Sequence, residues 1–311
     1  MTPLSSHWSA PAMTTMPPIS QQTRRALRRH QAASPAAPTQ PSARAWLELL
    51  RLLAPLGEVW LETRLPGVGL SQRISLHGPR PAGQGASIAA RDYALSLFFD
   101  DWCRVREIRP TTALDPHRLA IQDRGGATVA TLWSEAPICP LLLRSAVRTF
   151  QDGGSASSET PRSPDAETSA TAQLRGRTHQ TRRRLAKTPG LRPLGPERLS
   201  GWLDTVLQQA LPMRLQMGTA GVVQRGDLLL RPVRQGPSGW LELAGHRARV
   251  RLDRARIASA WIHHLPGGHG QRRQVRLYDA QGRALLFVEG VPRSDGAEDP
   301  RWHTLLNTLL D

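Results

Sequence analysis

Apolar and polar positions change rhythm along this chain. Over residues 42–56 (SARAWLELLRLLAPL) the apolar residues Trp46, Leu47, Leu49, Leu50 and Leu53 fall at helical spacing. Ser42 stands where a helix cap belongs and Pro55 where a helix must stop, so this stretch is predicted helical. From Val59 the rhythm shortens. VWLETRL, LSQRISLHG, YALSLFFDDW, RLAIQD and TVATLW alternate or run apolar between glycine and proline punctuation, which predicts strands. RLAIQDRGGATVATLW reads as a hairpin, because Asp123-Arg124-Gly125-Gly126 supplies residues that tolerate positive φ. A helix is predicted at about 139–151, after Pro137 and Pro140. Another runs from Glu197 to Leu211, with Trp202, Leu203, Val206, Leu207 and Ala210 on one face. Strand texture then returns through MRLQM, GVVQRG, LLLRPV, WLELAG, RARVRLD, IASAWIHHL, RQVRLYD and ALLFVEG, and Pro300 to Leu310 predicts a closing helix. Antiparallel strands with helices at their ends make an α+β chain.

The pattern also repeats. Gly69-Leu70-Ser71-Gln72-Arg73 returns as Gly221-Val222-Val223-Gln224-Arg225. Leu119-Ala120-Ile121-Gln122-Asp123-Arg124-Gly125-Gly126 returns as Val275-Arg276-Leu277-Tyr278-Asp279-Ala280-Gln281-Gly282. Two landmarks in the same order, at nearly the same spacing, predict an internally duplicated chain of two homologous lobes. The period is too long for a solenoid, whose units span about 20–50 residues. The organisation expected is an arm at 1–41, a first lobe at 42–150, a linker at 151–174 and a second lobe at 175–311. The arm, rich in Pro, Ser, Thr, Ala and Gln, and the polar low-complexity linker are expected to be disordered. Gln21 to Gln31, with Arg24, Arg25, Arg28 and Arg29, has the makings of a transient basic helix.

Composition adjusts this picture in two ways. Apolar residues make up 39% of the 311-residue chain, below the usual ~45–50%, and the shortfall sits in the arm and linker. Charge is lopsided: 41 basic against 25 acidic residues give a formal net charge of +16. Lys187 is the only lysine, so the surplus is arginine, whose planar fork matches carboxylates and phosphates. A basic balance of this size favours an anionic partner: nucleic acid, acidic lipid or an anionic small molecule. Cys103 and Cys139 form neither a metal-ligand spacing nor a disulfide framework. The first thirty residues lack a signal-peptide core and no apolar run reaches the ~20 residues that span a bilayer. The expected compartment is cytoplasmic.

Several segments resemble the HemS/HmuS hemin-degrading factor family of cytoplasmic heme-trafficking proteins. Leu56-Gly57-Glu58-Val59 with Thr63-Arg64 resembles the family's opening strand. Leu97-Phe98-Phe99-Asp100-Asp101-Trp102 resembles its Leu-Phe-Phe/Pro-x-x-Trp strand. Gly218-Thr219-Ala220-Gly221-Val222-Val223-Gln224, Ile257-Ala258-Ser259-Ala260-Trp261 and Leu277-Tyr278-Asp279-Ala280-Gln281-Gly282 resemble three of its second-lobe motifs. The resemblance covers about 44–150 and 174–310. It implies a pair of homologous lobes with large antiparallel sheets and flanking helices.

It also implies a heme site. The family's iron-ligating histidine follows the interlobe linker, and Arg177-Thr178-His179-Gln180 stands there, so His179 is the implied axial ligand. Imidazole suits iron. Arg192 falls where the family carries a heme-pocket arginine, a group suited to a propionate. Other positions depart from the family. Thr181, Arg182, Arg183 and Arg184 replace its apolar residues, Ser96 replaces a first-lobe arginine, and His264-Leu265-Pro266 replaces a lysine-bearing turn.

Three readings of function follow. The first is a cytoplasmic heme-binding protein of bacterial iron acquisition, accepting hemin and delivering or degrading it, with a heme permease or heme oxygenase as a partner. The second is a heme-degrading oxygenase on the same scaffold. The third is a basic nucleic-acid-binding or regulatory protein on that scaffold. His263, His264 and His269 cluster in HHLPGGHG but lack an acidic companion for a metal site. Trp60, Trp102, Trp240 and Trp261 are expected in the core. No nucleophile elbow, P-loop or Rossmann glycine pattern occurs.

Overall fold

The structure is a computed structural model, and residues 40–112, 115–135, 139–153, 168–235, 239–267 and 270–309 are described. The arm, the basic Gln21–Gln31 stretch and His269 lie outside them.

Six helices and seventeen strands make up the described chain. Helix α1 (Ala43–Leu53) is capped by the Ser42 side chain, which accepts from the Ala45 N–H, and ends in a 3-10 turn holding Pro55. The first half supplies β1 (Glu58–Leu65), β2 (Val68–Ser75), β3 (Arg80–Ala82), β4 (Gly85–Ala89), β5 (Tyr93–Phe98), β6 (Arg104–Ile108), β7 (Arg118–Gln122), β8 (Thr128–Trp133) and α2 (Cys139–Gly153). There follow α3 (Ser169–Leu174), α4 (Arg182–Ala186), β9 (Leu191–Leu194) and α5 (Pro196–Gln208). The second half supplies β10 (Met213–Thr219), β11 (Val222–Leu228), β12 (Arg231–Gln235), β13 (Trp240–Ala244), β14 (Ala248–Asp253), β15 (Ser259–Gly267), β16 (Gly270–Tyr278), β17 (Ala284–Gly290) and α6 (Pro300–Thr308).

The strands form two large antiparallel sheets, as the α+β reading anticipates. Sheet one runs β12-β13-β14-β2-β1-β8-β7-β6, and sheet two runs β3-β4-β5-β11-β10-β17-β16-β15-β9. The two orders correspond strand for strand, with β9 added at one edge. Each sheet is shared between the halves. The first half's meander β3–β5 leaves its own sheet and pairs with β11, Leu97 opposite Val222. The second half's meander β12–β14 pairs with β2, Ala248 opposite Gln72.

Alternation along each strand turns one face of every sheet inward. Val59 and Leu61 point in while Trp60 and Glu62 point out. Two apolar clusters fill the space between the inner faces. One gathers Trp46 of α1, Leu61, Ile121 and Leu132 of sheet one, and Leu95, Leu97 and Val222 of sheet two. Trp46 is fully buried, 4.5 Å from the Phe150 ring and 5.0 Å from the Trp102 ring. Truncating such a tryptophan costs about 3–5 kcal/mol. The other cluster joins Trp202 and Trp302 of α5 and α6 to Leu70 and Val250 of sheet one and Leu215 and Val275 of sheet two.

Candidate functional site

A third, smaller apolar cluster lies on the outer face of sheet two, and the chain between 168 and 194 covers it. Strand alternation places Trp261, Tyr278 and Phe287 outward there. Leu174, Leu185 and Leu191 close over them. Thr168 caps α3 by accepting the Thr171 N–H. Thr181 caps α4 by accepting the Arg184 N–H at 3.2 Å. Each short helix thus turns one leucine down; α3 also turns Gln173 inward, while the arginines of α4 point out.

Between these helices the chain is tied to the first half. The Arg175 side chain is buried, with its guanidinium 3.7 Å from the Phe98 ring centroid. Its Nε donates to the Ala220 carbonyl at 2.7 Å, and its Nη2 pairs with Asp101. Arg177 Nη2 donates to Asp100 at 2.8 Å and to Asp101 at 3.0 Å. The acidic turn after β5 therefore anchors the segment leading to His179.

The second repeated landmark fixes His179 itself. Gln180 N–H donates to the Gly282 carbonyl at 2.8 Å. Gly282 has φ +76°, and a Cβ there would lie 2.3 Å from the Gln180 carbonyl oxygen. This close docking sets the exposed His179 ring with Nδ1 3.3 Å from the Gln281 carbonyl oxygen. A carbonyl only accepts, so that contact assigns the proton to Nδ1 and leaves the Nε2 lone pair free.

Arg192 is exposed on the edge strand β9, opposite Ile262 of β15. Among the described residues no hydrogen bond or ion pair joins it to His179. Arg182, Arg183 and Arg184 are all exposed on α4, so the arginine run stays out of the apolar cluster. Ser96 faces outward on β5 opposite Val223, and Leu265 is half-buried on β15.

Beneath this segment lies a buried polar group whose Arg276, Gln274 and Gln173 the sequence did not mark as site residues. On the outer face of β16, Arg276 stacks 4.7 Å from the Phe287 ring centroid and donates Nε to Gln274 Oε1 at 2.8 Å. Tyr278 Oη donates to Gln173 Oε1 of α3 at 2.9 Å. Burial pushes the Arg276 pKa down and the Tyr278 pKa up. His263 stands on strand β15 opposite Gln274, and its Nδ1 is buried without a partner among the described residues. Burial, helped by Arg276 and His264, lowers its pKa to about 4. The outward polar positions in RQVRLY were the only sequence signal for this group. No cluster of three or more metal-ligating side chains occurs among the described residues.

Solved structures carry the same two-sheet architecture. ChuS, described as a heme oxygenase of E. coli, aligns with TM-score 0.64 and 17% identity over 85% of this chain and 86% of its own. PhuS of Pseudomonas aeruginosa, described as a heme-binding protein and solved in its holo form, aligns with TM-score 0.63 and 20% identity over 92% and 97%. This chain has the ChuS/PhuS fold. It is the fold that the HemS/HmuS resemblance implies, and the ChuS/PhuS alignments span both sheets and both halves. No family model matches the chain, and no curated protein sequence matches it. No helix among the described residues is long and apolar enough to cross a membrane.

Proposed function

We propose that this protein binds heme in bacterial heme uptake, accepting hemin in the cytoplasm and delivering it onward, with His179 as the axial iron ligand. One observation carries the reading: His179 Nδ1 is committed to the Gln281 carbonyl, so Nε2 is the free ligating atom. An imidazole oriented by a backbone carbonyl through its second nitrogen is the usual arrangement of a metal-binding histidine. The donor set fits heme in a second respect. Heme carries two propionates, and exposed arginines at 182–184 and 192 flank His179 in sequence. Bound heme would supply an iron centre with one face held by the protein. This chain's part is to present Nε2, hold the ring's orientation through the 279–282 turn, and meet the propionates.

Support also comes from the fold, since ChuS and PhuS are described as a heme oxygenase and a heme-binding protein. Delivery ranks above ring opening because Ser96 presents no cation on the outer face. The matching strand orders of the two sheets agree with a duplicated ancestral unit.

The test is hemin titration of the purified protein. The expected result is a saturable Soret band at one equivalent, shifted or lost in His179→Ala and weakened in Arg192→Ala. Absence of any Soret shift in the wild-type protein overturns the reading. An unchanged band in His179→Ala overturns the ligand assignment alone.

A further inference from the structure

The outer face of sheet one differs from that of sheet two. Helices α1 and α2 pack in the first interior cluster, α5 and α6 in the second, and α3 and α4 lie over sheet two. No helix among the described residues lies across the outward side of β14, β2, β1 and β8.

That side carries an array of arginines stacked on tryptophans. Trp60 of β1 and Trp133 of β8 are register partners, and their rings stack at 6.0 Å with an 11° tilt. Arg118 lies over Trp133 at 5.1 Å. Arg249 and Arg73 lie over Trp60 at 5.1 and 5.5 Å. Further along, Arg251 lies over Trp240 at 5.4 Å. The tryptophans are recessed, Trp60 at 5% exposure and Trp133 at 9%, and the guanidinium planes form the outer layer.

Charge on this face is unequally compensated. Arg64 is paired with Glu62 and Arg73 with Glu135, whose other oxygen accepts the Trp60 indole N–H at 3.2 Å. Among the described residues, no carboxylate comes within ion-pair distance of Arg118, Arg249 or Arg251, nor of Arg104 and Arg106 on the outward side of β6, although Glu242 stands opposite Arg251 in register and Glu62 and Asp115 line the hollow beside Arg118. Stacking on an indole fixes a guanidinium's plane and directs its N–H groups sideways and outward. Arg104 and Arg106 on β6 and Arg118 on β7 lie on neighbouring strands, about 4.8 Å apart, whereas Arg249 and Arg251 on β14 stand four strands from β7, roughly 19 Å away. Two groups of fixed cations set apart along one face complement an extended chain of anions that crosses the sheet.

We propose that the outer face of sheet one binds single-stranded nucleic acid, independently of the heme site. The free guanidinium edges contact phosphates, and the stacked guanidinium planes accept bases. Planar cation and aromatic platforms that follow a backbone are how strand-binding sheets work. A lipid surface fits less well, because the tryptophans are covered by cations and offer nothing to insert among acyl chains. A protein partner fits less well, because the centre of the face is charged, where interface centres are depleted of charge.

The experiment compares two charge-matched variants of the full chain by fluorescence anisotropy on a mixed-sequence oligonucleotide of about 16 nucleotides. One variant carries Arg118→Gln, Arg249→Gln and Arg251→Gln. The other carries Arg44→Gln, Arg51→Gln and Arg148→Gln, all exposed on α1 and α2. Circular dichroism establishes that each is folded. Arg251→Gln alone serves should the first triple variant not fold. Wild-type binding is expected to weaken with salt, and intrinsic tryptophan fluorescence to change on binding. The face variant is expected to lose at least tenfold in affinity and about 2 units of log–log salt slope, and Arg251→Gln about 0.7. The α1–α2 variant should stay within about threefold of wild type. Equal losses in the two triple variants overturn the proposal, as does absent wild-type binding. A face variant that loses affinity for anionic vesicles but not for the oligonucleotide overturns it in favour of a membrane surface.

Discussion

The Gln224 side-chain amide on sheet two donates to Thr63 Oγ1 on sheet one across 3.0 Å. The same nitrogen lies 3.3 Å from the Leu70 carbonyl of β2, and Gln224 is fully buried. Gln72, the matching residue of the other repeated pentapeptide, is also buried and packs so closely on Gly226 that a Cβ there would lie 2.3 Å from its Nε2. The two copies of the motif thus meet in the interior, where β1 and β2 approach β10 and β11. Gln224→Leu keeps the volume but strands the polar groups that the amide serves. A stability loss of about 1–3 kcal/mol is expected. It should appear as a lower denaturation midpoint at unchanged slope, and an unmoved midpoint would refute this role.

Gly221 opens that second pentapeptide, and its φ is unremarkable. Its glycine is required by space. A Cβ would sit 2.5 Å from the Trp102 indole nitrogen, which donates to the Gly221 carbonyl at 2.8 Å. Gly221→Ala must therefore displace a fully buried tryptophan or break that bond. Overpacking of this kind costs about 1–3 kcal/mol. Thermal unfolding at matched pH measures it, and the near-ultraviolet tryptophan signal should change as well.

These contacts mark how far the sequence could be read. Helical spacing at Trp46 to Leu53 led to α1, and Asp123 to Gly126 led to the β7–β8 turn, where Gly126 adopts φ +82°. Both signals are local. The helix expected to reach Leu211 stops at Gln208, because Ala210 takes φ +47° and carries the still apolar chain away. The exchange of β3–β5 and β12–β14 between sheets left no trace in the pattern. An inward Leu95 reads alike whichever strand it pairs with. For the site, the family resemblance pointed to His179, and nothing pointed to Arg276, whose polar side chain at an outward strand position reads as solvated although it is 5% exposed.

His263 gives the fold a pH signature. Its folded pKa of about 4 lies below the unfolded value of 6.5. Above pH 6.5 both states are neutral and its contribution is complete. As pH falls from 6.5 towards 4 the unfolded chain takes up a proton that the folded chain refuses, so stability drops. His263→Phe removes this term. The difference in denaturation midpoint between variant and wild type is expected to shift in the variant's favour across that window. A difference that is flat with pH would contradict the assignment.

Arg175 holds the approach to His179 against the first half through Asp101, Ala220 and Phe98. Arg175→Met keeps much of the apolar contact and removes the charge. If His179 ligates iron as proposed, its segment should loosen while Nε2 remains available. The expected result is a roughly tenfold weaker hemin affinity, about 1.4 kcal/mol, with the Soret position of wild type. A lost Soret band would instead mean that Arg175 acts at the iron.

The shared sheets predict that neither half stands alone. Without the second half, β3–β5 has no β11 to join and the outer edge of β2 loses β14, leaving unpaired strand edges of the kind that aggregate. Residues 40–153 and 168–311 expressed separately should each lack cooperative unfolding and should bind a hydrophobic dye. Mixed together during refolding, they should recover near-ultraviolet tryptophan signal, because Trp102 regains the Gly221 carbonyl from the other piece. Two independently cooperative halves would mean that each can build a sheet without the other's meander.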